Sequence, residues 1–219
     1  MVLQNGKLGE DDYNNTIRCD LIQLIPNVNG VILDVGCASG ATMKYLFDLG
    51  AVDVKGIDIS EESLAVARNS GFDVYKIDLN ESTLPFDEKY FDTIILADVL
   101  EHLVDPWSVL LKIKKYLKDD GVILISLPNI RNYKYVKRLM FQDKWDYAEQ
   151  GILDKTHLRF FTDTTAKKMI ADAGLKIIGT SFSNYKGAFI SALNFIFRGF
   201  IKKFTAVQFY YLVKKNDKN

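Results

Sequence analysis

Short apolar runs alternate with amphipathic segments along the first 130 residues. The pattern predicts strands at Val31–Val35, Asp53–Ile57, Asp73–Ile77, Thr93–Ala97 and Val122–Ser126. Between them it predicts helices at Ala41–Leu49, Glu61–Asn69 and Pro106–Leu117, with Ser60 capping the second and Pro106 in the first turn of the third. Strands separated by helices imply βαβ units and a mostly parallel sheet, with ligands at the carboxyl ends of the strands. After Ser126 the rhythm breaks. Residues 129–160 are rich in Tyr, Lys and Arg, carry Trp145 and show no clean strand. The pattern then resumes with a capped helix over about 163–173, a stop at Gly174 and a strand over 175–182. An apolar helix with a basic end is expected over 187–203, and a last strand over 206–215.

The expectation is an α/β chain with a seven-stranded, mostly parallel sheet flanked by helices and an inserted lid after the fifth strand. As a single domain it divides into an N-terminal helical segment (about 1–29), a ligand-binding core (30–128), the lid (129–160) and C-terminal helices with the last two strands (161–219). A length of 219 residues suits one large domain.

Composition narrows the partners. Lys+Arg and Asp+Glu both number 28, so no global field draws the chain to nucleic acid or anionic membranes. The basic, aromatic run 129–145 could stack on bases, but a solvated helix with its aromatics packed inward explains it equally, and no nucleic-acid partner is expected. Cys19 and Cys37 form no disulfide framework and match no zinc spacing, which favours a reducing, cytoplasmic setting. The opening "MVLQNGKLGEDDYNN" has no apolar core of a signal peptide, and the apolar stretch 187–197 stops at Arg198, too short to span a bilayer. Residues 187–203 could be an interfacial helix, a helix packed on the sheet, or part of a homodimer interface; stable membrane insertion is not expected.

The most informative stretch is "LDVGCASG", residues 33–40, where a predicted strand becomes a helix. A dinucleotide loop GxGxxG needs glycine at 36, 38 and 41; Gly36, Ala38 and Ala41 fail that template, which disfavours a nicotinamide-dependent oxidoreductase. No GxxxxGK[ST] loop is present either. What remains is an acid and two glycines, Asp34, Gly36 and Gly40. A carboxylate there is a poor neighbour for pyrophosphate and a good one for a cation. Asp58 closes the second strand, where it can accept from both hydroxyls of a ribose. Asp78 ends the third, where it can accept from an adenine amino group. Three acids at three successive strand ends form a constellation.

The segments "VILDVGCASG", "VKGIDIS", "KIDLNESTLPF", "FDTIILADVLEHLVDP" and "GVILISLPN" resemble the class I S-adenosylmethionine-dependent methyltransferases over roughly residues 30–130. The resemblance implies a Rossmann-like fold in which the loop Gly36, Cys37, Ala38, Ser39 and Gly40 holds the methionine and ribose end of the cofactor. Asp34 would lie near its cationic amino-acid end, Asp58 on the ribose diol, and Asp78 with the backbone of Leu79 on the adenine. Ile59, Ala97 and Asp98 complete the expected cofactor set. The family often has glycine at the position of Ala38, so this alanine is a departure. Cys37 is expected to be a small loop residue and not a nucleophile.

S-adenosylmethionine supplies an already activated methyl, so the protein must align a nucleophile, exclude water and sometimes remove a proton. The two histidines, His102 and His157, are candidates for that base. "GILDKTHLRFFT" resembles a segment of ubiquinone-biosynthesis-like and glycan-cluster small-molecule methyltransferases. By that resemblance His157 would reach the active site, with Arg159 orienting the acceptor. Asp98, Glu101 and His102 match an acidic-acidic-His cluster that binds a divalent cation in some ubiquinone-pathway O-methyltransferases. The first residue here is Asp where that cluster has Glu, spacing does not establish coordination, and no metal is assigned. An Asn/Asp-Pro-Pro-aromatic motif and a Pro-Cys pair are both absent, which points away from nucleic-acid bases. The expected activity is methylation of a small molecule, O-methylation of a hydroxylated metabolite, sugar or quinone precursor foremost. The other class left open is a non-catalytic cofactor-binding or regulatory module.

Overall fold

The computed structural model describes residues 19–184 and 202–216. In chain order the elements are α1 (Cys19–Ile22), β1 (Val31–Val35), α2 (Ala41–Asp48), β2 (Asp53–Asp58), α3 (Glu61–Asn69), β3 (Asp73–Lys76) and β4 (Phe91–Ala97). There follow α4 (Pro106–Ile113), β5 (Leu117–Pro128), α5 (Tyr133–Gln142), α6 (Asp163–Asp172), β6 (Leu175–Asn184), α7 (Lys202–Thr205) and β7 (Ala206–Lys215). The sheet order is β3-β2-β1-β4-β5-β7-β6, and β7 alone runs antiparallel to its neighbours. The fold is therefore the expected Rossmann-like, seven-stranded, mostly parallel sheet flanked by helices.

Strand order reverses between β1 and β4, which opens a crevice at their carboxyl ends. The central strands are buried on both faces, so successive residues enter opposite cores. Leu33, Val35, Ile94, Leu96, Ile123 and Ile125 pack on one side, and Ile32, Ile95 and Leu124 on the other. This double burial is why these strands read as continuous apolar runs.

The two largest boundary shifts from expectation fall between α4 and β5. The helix from Pro106 ends at Ile113 and passes through a 3-10 turn (Lys114–Tyr116), and β5 starts at Leu117, five residues before the predicted strand. "LKDDG" carries two acids and a glycine, so no apolar pattern marks it as strand. Residues 129–160 contain α5, none of whose side chains is buried. Its aromatics do not pack inward: Phe141 is 75% exposed, beside Met140 at 69%. The proposed apolar helix at 187–203 lies outside the described residues except for Lys202 and Lys203, as does most of the N-terminal segment.

Gly56 in β2 shows how tightly the sheet is packed behind the crevice. A Cβ there would sit 2.6 Å from Cys37 Sγ, 2.8 Å from Met43 Sδ and 2.8 Å from Val74 Cγ1. Gly56→Ala is expected to cost roughly 1–3 kcal/mol of stability through overpacking. Thermal unfolding checks this, and an unchanged midpoint would contradict it.

Candidate active site

A cleft of about 730 Å³ opens at the carboxyl ends of β1 to β4 and beside β7. Its first wall is the loop after β1. Gly36 N–H and Cys37 N–H both donate to Ile57 O, at 2.8 and 3.1 Å, and Gly40 N–H donates to Cys37 O at 2.9 Å. These bonds curl the loop against the end of β2. The curl needs left-handed backbone at Gly36 (φ 72°), Ala38 (φ 45°) and Gly40 (φ 88°). A Cβ on Gly40 would also lie 2.6 Å from the Phe72 ring. Ala38 thus stands in a conformation glycine favours, at a cost of roughly 1–2 kcal/mol. Its N–H is satisfied by Asp58 Oδ2 at 2.8 Å. Ala38→Gly is expected to keep the loop and leave ligand affinity within about twofold, because the backbone conformation is already the one glycine prefers. A larger change would show that the Ala38 methyl itself touches the ligand.

Asp34 is the penultimate residue of β1, behind this loop. It is 3% exposed, and its Oδ2 has no hydrogen-bond partner among the described residues. Burial, then the charge of Asp58, raises its carboxyl to about 7. A cation in the cleft would be the natural counterpart to this carboxylate. The Cys37 thiol is pushed up by burial, and further by Asp34 and Asp58. It therefore stays protonated and unreactive, as expected of a loop-shaping residue.

Asp58 bridges two elements: Oδ2 accepts from Ala38 N–H and Oδ1 from Ser60 N–H at 2.8 Å, while Ser60 caps α3 by accepting from Ser63 N–H at 3.2 Å. Each oxygen keeps a second lone pair, and the residue lines the cleft. Beside it Ile59 lays a 62% exposed apolar side chain along the same wall. Asp78 Oδ1 accepts from Asn80 N–H and Nδ2 at 2.9 and 3.0 Å, and Asn80 Oδ1 accepts from Val104 N–H at 3.2 Å. Lys112 Nζ donates to Leu79 O and Ser82 O at 2.8 and 2.9 Å, which anchors the Asp78–Leu79 wall to α4.

The opposite wall starts at Ala97 and Asp98. Asp98 is left-handed (φ 56°); its N–H donates to Ser126 Oγ, and its Oδ1 accepts from Ser126 Oγ and Gln208 Nε2, both at 2.7 Å. His102 follows in the 3-10 turn Leu100–His102 and lines the cleft. Burial first, then the neighbouring His157, lowers its pKa. Its Nδ1 lies 3.1 Å from Thr156 Oγ1 and 3.3 Å from Thr156 O. The two imidazole rings meet edge to face with centroids 4.8 Å apart.

Not every expected residue reaches the cleft. His157 is 7% exposed, donates from Nδ1 to Ile152 O at 3.1 Å, and lines an adjoining cavity of about 80 Å³ that shares Asp98, Gly151 and Gln208 with the cleft. Arg159 sends Nε and Nη2 to Val104 O at 3.1 and 2.5 Å and stands over Trp107, away from the cleft lining. Ser39 and Gly40 belong to the loop but do not line the cleft. Conversely, Thr42, Asn80, Gln150, Gly151, Gln208 and Tyr210 line it and were not expected. Asn80 had a signal in "DLN", whose acid can bond the backbone two residues on. Gln208 and Tyr210 had none, because only the antiparallel pairing of β7 with β5 brings them beside Asp98.

Among the described residues, the cluster whose potential ligand atoms lie closest together is not the acidic-acidic-His set itself. Asp98 Oδ1 is engaged by Ser126 and Gln208, and the potential ligand atoms that approach within 4.8 Å of one another belong to Glu101, His102 and His157.

Comparison with known proteins fits this geometry. The profile of the methyltransferase domain matches residues 13–180. The chain belongs to the methyltransferase-domain family. It is a class I S-adenosylmethionine-dependent methyltransferase. Among its relatives, the ubiquinone biosynthesis O-methyltransferase of Hydrogenovibrio crunogenus is 30% identical over 183 residues, covering 78% of this chain and 73% of that protein. The enzyme of the same name from Neisseria meningitidis serogroup A is 28% identical over 180 residues, covering 78% and 74%. A crystal structure of an S-adenosylmethionine-dependent methyltransferase from Archaeoglobus fulgidus shares the fold, with a TM-score of 0.68, 20% identity, and 90% and 91% of the two chains covered. Membership sets aside both the nicotinamide-dependent oxidoreductase and the non-catalytic module. Among the described residues of this methyltransferase, no helix is long and apolar enough to cross a membrane.

Proposed function

We propose that this methyltransferase moves the methyl of S-adenosylmethionine to a hydroxyl oxygen of a small acceptor. The observation that carries the reading is one cleft with strand-end acids along one wall and an imidazole on the other. The acids fit the cofactor. The orphaned, buried Asp34 oxygen suits its cationic end, the spare lone pairs of Asp58 suit a ribose diol, and Asp78 with the Leu79 backbone suits the adenine, with Ile59 against the ring. Gly36, Cys37, Ala38, Ser39 and Gly40 let the chain approach it, and Ala97 and Asp98 close the wall where methionine meets acceptor. When bound, the cofactor supplies a methyl on a positively charged sulfur.

The acceptor side is what the chain's own residues must provide. A hydroxyl loses its proton as its oxygen is methylated, and the His102 ring that lines the cleft offers an imidazole for it. Gln150 and Gly151 line the cleft from residues 129–160, which supports a lid role for that segment within one domain. Arg159, turned onto Val104 O, fits a brace for the 103–107 turn better than a substrate contact. The names of the relatives support oxygen over nitrogen, and the charge balance of 28 to 28 supports a small molecule over nucleic acid. Two free cysteines fit a reducing, cytoplasmic setting.

The test is release of S-adenosylhomocysteine on mixing the protein and S-adenosylmethionine with matched hydroxylated and amine acceptors, for instance 3,4-dihydroxybenzoate beside the corresponding diamine. Turnover with the diol is expected. Turnover confined to the amine would reject the oxygen assignment.

A further inference from the structure

Thr156, a few residues beyond the cleft-lining Gln150 and Gly151, touches the ring of His102. We propose that Asp154 and Thr156 are positioning residues that present His102 as the base for the acceptor hydroxyl. The inference deepens the methyl-transfer reading and rests on it.

The direction of each hydrogen bond follows from which atoms can give a proton. Asp154 Oδ1 accepts from Thr156 N–H at 2.8 Å and lies 2.6 Å from Thr156 Oγ1. Asp154 is 7% exposed. A carboxylate only accepts, so the Thr156 hydroxyl proton points to Asp154. Thr156 Oγ1 then meets His102 Nδ1, 3.1 Å away, with its lone pairs, and the other atom near Nδ1 is the Thr156 carbonyl oxygen at 3.3 Å. Both neighbours of Nδ1 are therefore acceptors, and the proton of neutral His102 sits on Nδ1. Its Nε2 is left with the lone pair a base needs.

His157 is held differently. Its Nδ1 faces Ile152 O at 3.1 Å, it is 7% exposed, and it does not line the large cleft. Of the two imidazoles, His102 is thus the one an acceptor can reach. The chain Asp154–Thr156–His102 also stabilises the imidazolium: once Nε2 takes the proton, the Nδ1–H bond to Thr156 becomes charge-assisted, and Thr156 hands the polarisation on to Asp154. Burial first, and then His157, oppose a positive charge on the His102 ring and lower its pKa. The other charged or titratable groups facing His102 are Asp98 and Glu101.

The step balances without a further reactant. The acceptor oxygen forms a bond to the methyl carbon, the carbon–sulfur bond breaks with its electron pair passing to sulfur, and the hydroxyl proton moves to His102 Nε2 and on to solvent. The segment is well placed for this role. Leu158 N–H and Arg159 N–H donate to Glu101 O at 2.8 and 3.0 Å, clamping the end of 148–159 to the turn that carries His102.

The experiment uses the full chain with only its own two histidines, so that each gives one set of ring signals in nitrogen-15 NMR. His102 is expected to carry its proton on Nδ1 in the wild type and to become a tautomer mixture in Thr156→Val. With 3,4-dihydroxybenzoate, His102→Gln is expected to lower kcat by roughly 10²–10⁴-fold. Thr156→Val should lower kcat about tenfold or more with KM and cofactor affinity held, Thr156→Ser should restore it, and Asp154→Asn should fall between. An Nε2-protonated His102 in the wild type would overturn the proposal, as would unchanged kcat in His102→Gln. Loss of turnover in EDTA with rescue by Zn²⁺ would overturn it too, since Nε2 would then be a ligand. The tautomer needs no acceptor to be read. Failure of S-adenosylmethionine to bind the wild type would sink the methyl-transfer reading separately, by calorimetry.

Discussion

Asp58→Ala is expected to weaken S-adenosylmethionine binding by at least about 100-fold while the protein remains folded. Asp58 does three things at once. It holds the Ala38 N–H, it holds the Ser60 N–H at the cap of α3, and in the proposed reading its remaining lone pairs take the ribose diol. Hydrogen bonds to a charged acceptor contribute about 1.5–3 kcal/mol each, so losing two to the ribose already amounts to two or more decades of affinity. The loop it supports is held separately by Gly36 and Cys37 N–H on Ile57 O, so the fold should survive. Asp58→Asn makes a useful companion, since the amide oxygen can replace only one acceptor. Calorimetric titration reads both variants, and wild-type affinity in Asp58→Ala would place the ribose elsewhere.

The second large effect is on pH dependence. Asp34 sits near 7 in the free protein, far above its value in an unfolded chain. Between about pH 4 and pH 7 the folded state therefore binds the extra proton. Stability from this group is complete at acid pH and is lost as pH rises through about 7, by an amount on the order of 4 kcal/mol. Binding of a cation has the opposite preference. It favours the ionised carboxylate, so affinity for S-adenosylmethionine is expected to rise through neutrality and to fall up to about tenfold per unit below pH 7. Asp34→Asn should bind weakly at every pH, and its melting temperature should not share the wild type's decline between about pH 4 and 7. A flat wild-type affinity across that range would contradict a cation beside Asp34.

How much of this was legible depends on what kind of interaction places each residue. β1, α3 and β7 lie at the predicted bounds because their apolar periodicity and the Ser60 cap are local signals. The acids at 34, 58 and 78 were readable because each lies at or just past the carboxyl end of a strand that the pattern marks. The acceptor wall was not. Asp98 finds Gln208, 110 positions away, only through β7, and His102 finds Thr156 across 54 positions through a loop with no repeating pattern. Local resemblance favoured His157 as the residue reaching the cleft, but its ring turns to Ile152 O and leaves that place to His102. Arg159 differs for a similar reason: a guanidinium within reach of a carbonyl at the end of the 3-10 turn is satisfied there.

The most direct test of methyl transfer to oxygen is to follow the methyl itself. The protein is incubated with S-adenosylmethionine labelled with carbon-13 on the methyl, together with 3,4-dihydroxybenzoate, and the product is examined by NMR. The account predicts one labelled methyl on a phenolic oxygen, formed in step with S-adenosylhomocysteine and absent in Asp58→Ala. Label on a ring carbon or on the carboxylate, or product formed equally by Asp58→Ala, would contradict it.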